Sequence, residues 1–329
     1  MTEFDRATRE ARCTRRTLLA SGAVLSLAIG NTAHGAALGI TGNRIGVETM
    51  QAETLPSEGY LDIAGARLFY TVAGSGPMLL LIPGGFADAD GFLPVLDALT
   101  PHYTVVRYDP RGISRSRGEG ITEDVPVEVH ADDARQLLAA LGSEPAHVLG
   151  SSGGAVIGLA LAATAPEVVQ TLVAHEPPLT ELLPESDPRR QANQEIYDTY
   201  LAAGPEAAMG HFFAASGMGE ASGNEMTPEM QQAMDEEFAR IMQNADFFFA
   251  HYLMPITLYQ PDIDALTSGS SRIVVAVGED SAGQEASDTA LALAERLGVT
   301  AEVFPGDHVG MFTQPEAFVG RLRQVLDEG

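Results

Sequence analysis

Ser152 lies in Gly150-Ser151-Ser152-Gly153-Gly154, with a short apolar stretch, Ala146 to Leu149, ahead of it and an almost wholly apolar one, Ala155 to Thr164, behind it. A strand that turns sharply into a helix needs small residues at the turn, and such a turn leaves the central side chain exposed above the carboxyl edge of a sheet. The pattern therefore predicts a nucleophilic serine. A glycine-serine loop without chemistry has the same composition, but the strand before and the helix after favour the reactive reading. The Gly-x-Ser-x-Gly spacing centres on Ser152 rather than on Ser151.

A hydroxyl attacks well only when a base takes its proton. His308, in Phe304-Pro305-Gly306-Asp307-His308-Val309-Gly310, follows the last predicted strand, so its loop would face the same sheet edge as Ser152. His175 also ends a strand near that edge and reads as packing. Two backbone N–H groups are needed for the negative charge that forms on an attacked carbonyl. Gly153 supplies one, and Gly85, in the Gly84-Gly85 turn after an apolar run, supplies the other.

An acid must hold the histidine in one tautomer, and two candidates remain open. Asp280 lies in Gly278-Glu279-Asp280-Ser281, after a predicted strand over Arg272 to Val277. Glu176, in His175-Glu176-Pro177-Pro178, ends the strand that follows the Ser152 helix. The interval from Ser152 to Glu176, 176 − 152 = 24 residues, accommodates one helix, one turn and one strand. That path returns Glu176 to the edge where Ser152 stands, so Glu176 is favoured over Asp280.

The elements that must carry these residues are legible from periodicity. Tyr60 to Ile63 and Arg67 to Val72 read as an opening hairpin. Met78 to Ile82, Thr104 to Tyr108, Ala146 to Gly150, Val169 to Ala174, Arg272 to Val277 and Thr300 to Phe304 are short apolar runs of the kind that form buried parallel strands. Helical spacing recurs from Val129 to Leu141, from Ala155 to Thr164, from Thr289 to Leu297 and from Phe318 to Leu326. Strands alternating with helices predict an α/β fold, a mostly parallel, doubly wound sheet. Residues 177–258 break the alternation, carry helical patterns rich in Met and Phe, and are expected to form an inserted helical cap. The α/β core would then comprise residues 59–176 and 259–329.

The N-terminus reads differently. Thr14-Arg15-Arg16-Thr17-Leu18-Leu19 and the short apolar stretch to Ile29 resemble a twin-arginine translocation signal over residues 1–35. Residues 36–58 read as a linker. Export of an already folded protein, to the periplasm or the medium, is the expectation. The single cysteine, Cys13, lies in that segment, which leaves no disulfide framework and no cysteine nucleophile. No run reaches the ~20 apolar residues that span a bilayer. All 19 basic residues are Arg, set against 45 acidic ones, for a net charge of −26. Nucleic acid, which needs a basic face, is an improbable partner, and anionic substrates are disfavoured. Oligomeric state is not readable.

The order of nucleophile turn, acid and histidine, with a glycine loop upstream, resembles the α/β-hydrolase superfamily from about Gly59 to Gly329, least in the cap. Asp109-Pro110-Arg111-Gly112-Ile113-Ser114-Arg115-Ser116 is similar to the D-x-R-G-x-G-x-S segment of its esterase-like members, with Ser114 in place of a glycine. Pro83 stands where many members have histidine, and Ser281 where most have the acid. Haloalkane dehalogenases and zearalenone-lactone hydrolases of this superfamily include members whose acid follows the earlier strand, as Glu176 would. The resemblance implies a serine hydrolase without metal or organic cofactor, and the Met- and Phe-rich cap with the acidic composition points to a small-molecule substrate, an uncharged carboxylic ester or lactone with apolar bulk. A proline-iminopeptidase-like aminopeptidase, with Glu181, Glu185 and Glu195 of the cap as amine ligands, is an alternative. A haloperoxidase-like perhydrolase and a non-catalytic ligand-binding member of the fold are two more.

Overall fold

In the computed structural model the described residues are 57–142, 145–216 and 228–328. By internal contacts the chain divides into Met1–Ala52 and Glu53–Gly329. The segment expected to be a twin-arginine signal and the expected linker up to residue 56 lie outside the described residues.

The chain enters through an antiparallel hairpin, β1 (Glu58–Ile63) and β2 (Ala66–Gly74), paired from Glu58↔Thr71 to Ile63↔Ala66. β3 (Met78–Ile82), helix α1 (Leu93–Leu99) and β4 (Thr104–Tyr108) follow, then the two-residue β5 (Arg117–Gly118) and helix α2 (Val127–Leu141). β6 (Ala146–Ser151), helix α3 (Gly153–Thr164) and β7 (Val169–His175) form the next crossover unit. Later come β8 (Arg272–Gly278), helix α9 (Glu285–Leu297), β9 (Glu302–Phe304), the one-turn α10 (Gly310–Thr313) and the closing α11 (Pro315–Asp327). The strands form one sheet in the order β1-β2-β4-β3-β6-β7-β8-β9, with β5 beside β2. From β4 to β9 every pairing is parallel.

Because side chains alternate along a strand, the central strands feed two cores. Leu80, Ile82, Val148, Leu172 and Ala174 pack with α2 and α3 on one face. Leu79, Leu81, Leu149, Val173 and Ala276 pack with α1 and α11 on the other. Continuous apolar runs are what a sheet covered on both sides requires. The parallel register then brings the ends of several strands level: Ile82 pairs with Gly150, Ser151 with His175, His175 with Ala276, and Gly278 with Phe304. The loops after β3, β6, β7, β8 and β9 therefore open at one edge, the crevice where open α/β sheets bind ligands.

Between β7 and β8 the chain forms α4 (Arg189–Ala203), α5 (Pro205–Ser216), α6 (Pro228–His251), α7 (Leu253–Thr257) and α8 (Ile263–Ser268). The helices thus run ten residues past position 258, 268 − 258 = 10, but α8 packs on α3 and α9 of the core. Two features differ from the sequence reading. α9 starts at Glu285 rather than Thr289, since Glu285 and Asp288 suit the positive end of a helix. α1 was not anticipated, because seven residues with a proline near the start show little periodicity. Among the described residues no helix is long and apolar enough to cross a membrane.

Candidate active site

Ser152 sits at the joint between β6 and α3 with φ 54° and ψ −123°. A non-glycine residue at positive φ is strained, and the packing around it explains why it stays there. Its N–H donates to the His175 carbonyl at 2.9 Å, and α3 begins on the next residue. A Cβ on Gly150 would strike the backbone of Gly154 and Ala155, and one on Gly154 would strike the carbonyl oxygens of Ile82 and Pro83. The glycines flanking the serine are thus demanded by close approach of β3 and by the tightness of the turn.

Glu176 is the first residue beyond β7, also at positive φ (49°), and is fully buried. Its Oε2 lies 2.7 Å from Nδ1 of His308. Its Oε1 accepts the Gly278 N–H at 2.8 Å, so both oxygens are held. Burial by itself would raise the Glu176 pKa. The His308 hydrogen bond, the nearby His308 and His175 rings and the Gly278 N–H outweigh it and bring the carboxyl down to about 2. Glu176 is therefore an anion that orients His308. Asp280 is exposed, and its N–H donates to the Gly306 carbonyl at 3.0 Å. The fold puts Glu176, not Asp280, on His308. Ser281, in the place many relatives give to the acid, is fully buried with no partner for its hydroxyl.

His175 packs against Phe304, Phe318 and the His308 ring, and burial lowers its pKa to about 4, against the pull of Glu176. It is a neutral ring in the core, with neither nitrogen hydrogen-bonded.

Gly85, at φ 53°, turns the chain after β3. A Cβ on Gly153 would sit 3.1 Å from the Gly85 nitrogen, which makes the two peptide groups close neighbours beside Ser152. The first amides of a helix have no intrahelical acceptor, so the Gly153 N–H at the start of α3 is available. A serine, a histidine tied to a buried carboxylate, and two adjacent N–H groups can perform nucleophilic attack on a carbonyl. Among the described residues no cluster of His, Cys, Asp and Glu could hold a metal ion.

The family profile for the alpha/beta hydrolase fold matches residues 77–252, more than half of the chain. The chain belongs to the α/β-hydrolase fold family. It is 36% identical over 276 residues to the uncharacterized hydrolase YraK of Bacillus subtilis (strain 168), an alignment that covers 83% of this chain and 97% of YraK. Solved structures with the same fold include the enol-lactonase from Burkholderia xenovorans LB400, with TM-score 0.63 and 18% identity, covering 82% of this chain and all of that one (100%). A thermophilic esterase from Thermogutta terrifontis has TM-score 0.63 and 19% identity, covering 83% and 99% of the two chains. The chain is an enzyme, a hydrolase.

In this α/β hydrolase Ser152, His308, Gly85 and Phe212 line two adjoining cavities. The outer one, about 390 Å³, is walled by Phe86, Phe92, Phe213, Met311 and Phe312. The inner one, about 60 Å³, is closed by Ile196, Phe248, Leu253 and Ile256 together with two polar side chains, Asn193 and Glu285. Burial raises the Glu285 carboxyl to about 7, with Arg189, the Asn193 amide and His308 opposing the rise and Asp187 adding to it. Asn193 tempers that rise, and its Nδ2 is without a hydrogen-bond partner. Neither residue was singled out from the sequence. The only local signal is that Glu285 follows closely on the Gly278–Ser281 loop.

A further polar residue, Asn244 of α6, ties the cap to the glycine loop. Its Nδ2 donates to the Phe86 carbonyl at 2.9 Å, and its Oδ1 accepts the Ser114 N–H at 2.9 Å. Ser114 adopts φ 45°, which accounts for the glycine common at that point of the family segment, and its hydroxyl donates to Asp88 at 2.8 Å. Buried Asp109 completes this support by accepting the N–H groups of Ala89 and Arg115. Glu181 is paired with Arg190 at 2.6 Å, and Glu185 and Glu195 are exposed, so none of the three lines either cavity.

Proposed function

We propose that this hydrolase cleaves small uncharged carboxylic esters or lactones through an acyl-enzyme on Ser152. The observation that carries the proposal is the Glu176–His308 contact of 2.7 Å beside a cavity wall shared with Ser152. His308 takes the proton of Ser152 as Oγ bonds to the substrate carbonyl carbon. The Gly85 and Gly153 N–H groups hold the resulting oxyanion. The C–O bond to the alcohol then breaks, and His308 returns the proton to the leaving oxygen. Water attacks the acyl-enzyme by the same route, freeing the acid and restoring Ser152. Glu176 keeps its charge throughout and stabilises the imidazolium. A neutral, mostly apolar outer cavity and a strongly acidic surface suit uncharged substrates. The esterase and the enol-lactonase of the same fold act on this class of bond.

The test is a panel of p-nitrophenyl esters, lactones and aminoacyl anilides, with fluorophosphonate labelling. Esters or lactones should be turned over, the label should attach to Ser152, and Ser152→Ala should lose at least ~10³-fold in kcat while keeping its circular dichroism. Preference for the anilides would favour the aminopeptidase reading. A protein that neither labels nor hydrolyses would be a binding member of the fold.

A further inference from the structure

Away from Ser152 and His308 the inner cavity has a mostly apolar wall, interrupted by Thr257, whose hydroxyl donates to the Leu253 carbonyl at 3.0 Å, and by Asn193 and Glu285. Asn193 is buried to 5% exposure on α4, and its Nδ2 is without a hydrogen-bond partner. Glu285 lines the same cavity from the first turn of α9. A buried donor left unpaired is costly, and so is a half-buried carboxyl facing a cavity that Phe248, Ile196 and Leu253 also line. Such a cost is offset when a ligand completes the hydrogen bonds. A hydroxyl matches the two together, because it accepts from an amide N–H and donates to a carboxyl oxygen. An ammonium group can donate to the Glu285 carboxyl but accepts nothing, and so would leave the Asn193 Nδ2 unpaired.

The two cavities also divide the substrate. His308 lines both cavities, and the residues just after it, Val309, Met311 and Phe312, line the outer one alone. The group that must receive a proton from His308 and depart first belongs on that larger, open side. The acyl group, which stays on Ser152 until water arrives, belongs in the small inner cavity of about 60 Å³.

We propose that Asn193 and Glu285 together recognise one hydroxyl on a short acyl group, so that the enzyme prefers esters and lactones of small hydroxy acids over their plain counterparts. This rests on the ester-hydrolase reading above. Their role is to position the acyl chain, and Ser152, Glu176 and His308 do the bond making.

The experiment compares p-nitrophenyl β-hydroxybutyrate, p-nitrophenyl butyrate and p-nitrophenyl β-aminobutyrate on the full protein, with kcat and KM measured separately. The native enzyme should favour the hydroxy ester over the plain one by roughly tenfold to a hundredfold in kcat/KM, the scale of one buried hydrogen-bonded group. Most of that difference should lie in KM. In Glu285→Leu, which removes the acceptor, and in Asn193→Ala the ratio should fall toward one. Because the ratio is taken within each variant, partial misfolding cancels. Equal rates on the hydroxy and plain esters in the native enzyme, a preference for the amino ester, or a ratio unchanged in both variants would overturn the proposal. If plain esters are hydrolysed and the preference is absent, only this inference fails. If no ester is hydrolysed and fluorophosphonate does not label the protein, the ester-hydrolase reading fails with it.

Discussion

Two acids competed for His308 in the amino-acid sequence, and a single backbone feature separates them. Glu176 follows β7 directly at φ 49°, which swings its side chain under the His308 loop, where both oxygens find donors. Asp280 has the right loop but points to solvent. Glu176→Gln should therefore cost up to ~10⁴-fold in kcat, because His308 loses its tautomer and the charge that stabilises its imidazolium. Asp280→Asn should stay within a few-fold of the native rate. Steady-state turnover of the two variants on one ester decides this, and the reverse ranking would overturn the assignment. The Glu285 carboxyl obeys the opposite electrostatics: burial dominates it, and Arg189, Asn193 and His308 do not offset the rise.

At the scale of elements, the glycine loop after β3 is held from three directions. Asn244 reaches it from α6, Ser114 links Asn244 to Asp88, and Asp109 fixes the Ala89 N–H. Phe86 of that loop also meets Phe212 at 5.2 Å and Phe248 at 4.8 Å, ring to ring, so cap and loop share one aromatic cluster. An oxyanion donor works only if it is fixed before the charge appears. Asn244→Ala removes the cap's hydrogen bond to the loop and leaves the Phe86 carbonyl and Ser114 N–H unpaired. We expect kcat to fall roughly tenfold or more, with a smaller change in KM, and a loss of about 1–3 kcal/mol in stability. Stopped-flow acylation rates and thermal unfolding measure the two effects. An unchanged kcat alongside a lowered Tm would make Asn244 a structural tie alone.

At the scale of the whole molecule, the net charge of −26 acts on every approaching substrate. A diffuse negative field lowers the local concentration of anions and is screened over ~30 Å at ~0.01 M salt but over only a few ångströms at ~1 M. An ester carrying a carboxylate should have a lower kcat/KM than a neutral ester of equal size at low salt. The gap should narrow several-fold between ~0.01 M and ~0.5 M NaCl, with the neutral ester little affected. A carboxylated ester that outruns the neutral one at low salt would point to a local cationic site that outweighs the global field.

How much was legible beforehand depends on how far apart the cooperating residues lie. The α/β class, the strands and the Ser152 turn follow from periodicity and sterics within a few residues, so the sequence alone determines them. The clash with Gly154 and Ala155 that forces glycine at Gly150 is of that kind, whereas the clash at Gly154 is with the carbonyls of Ile82 and Pro83, at and just past the end of β3, and belongs to the tertiary structure. His308 was readable because it follows the last strand, and the parallel register makes strand ends coincide. The tertiary structure decided the rest. It chose Glu176 over Asp280 through a backbone angle and the reach to Gly278. It also brought Asn193, Asn244 and Glu285 to the site from helices that only three-dimensional packing places there. A chain with 45 acidic residues cannot announce which of them will be buried. Burial is a property of the assembled layers, and only burial turns an ordinary carboxylate into an oriented anion or a hydroxyl-seeking acid.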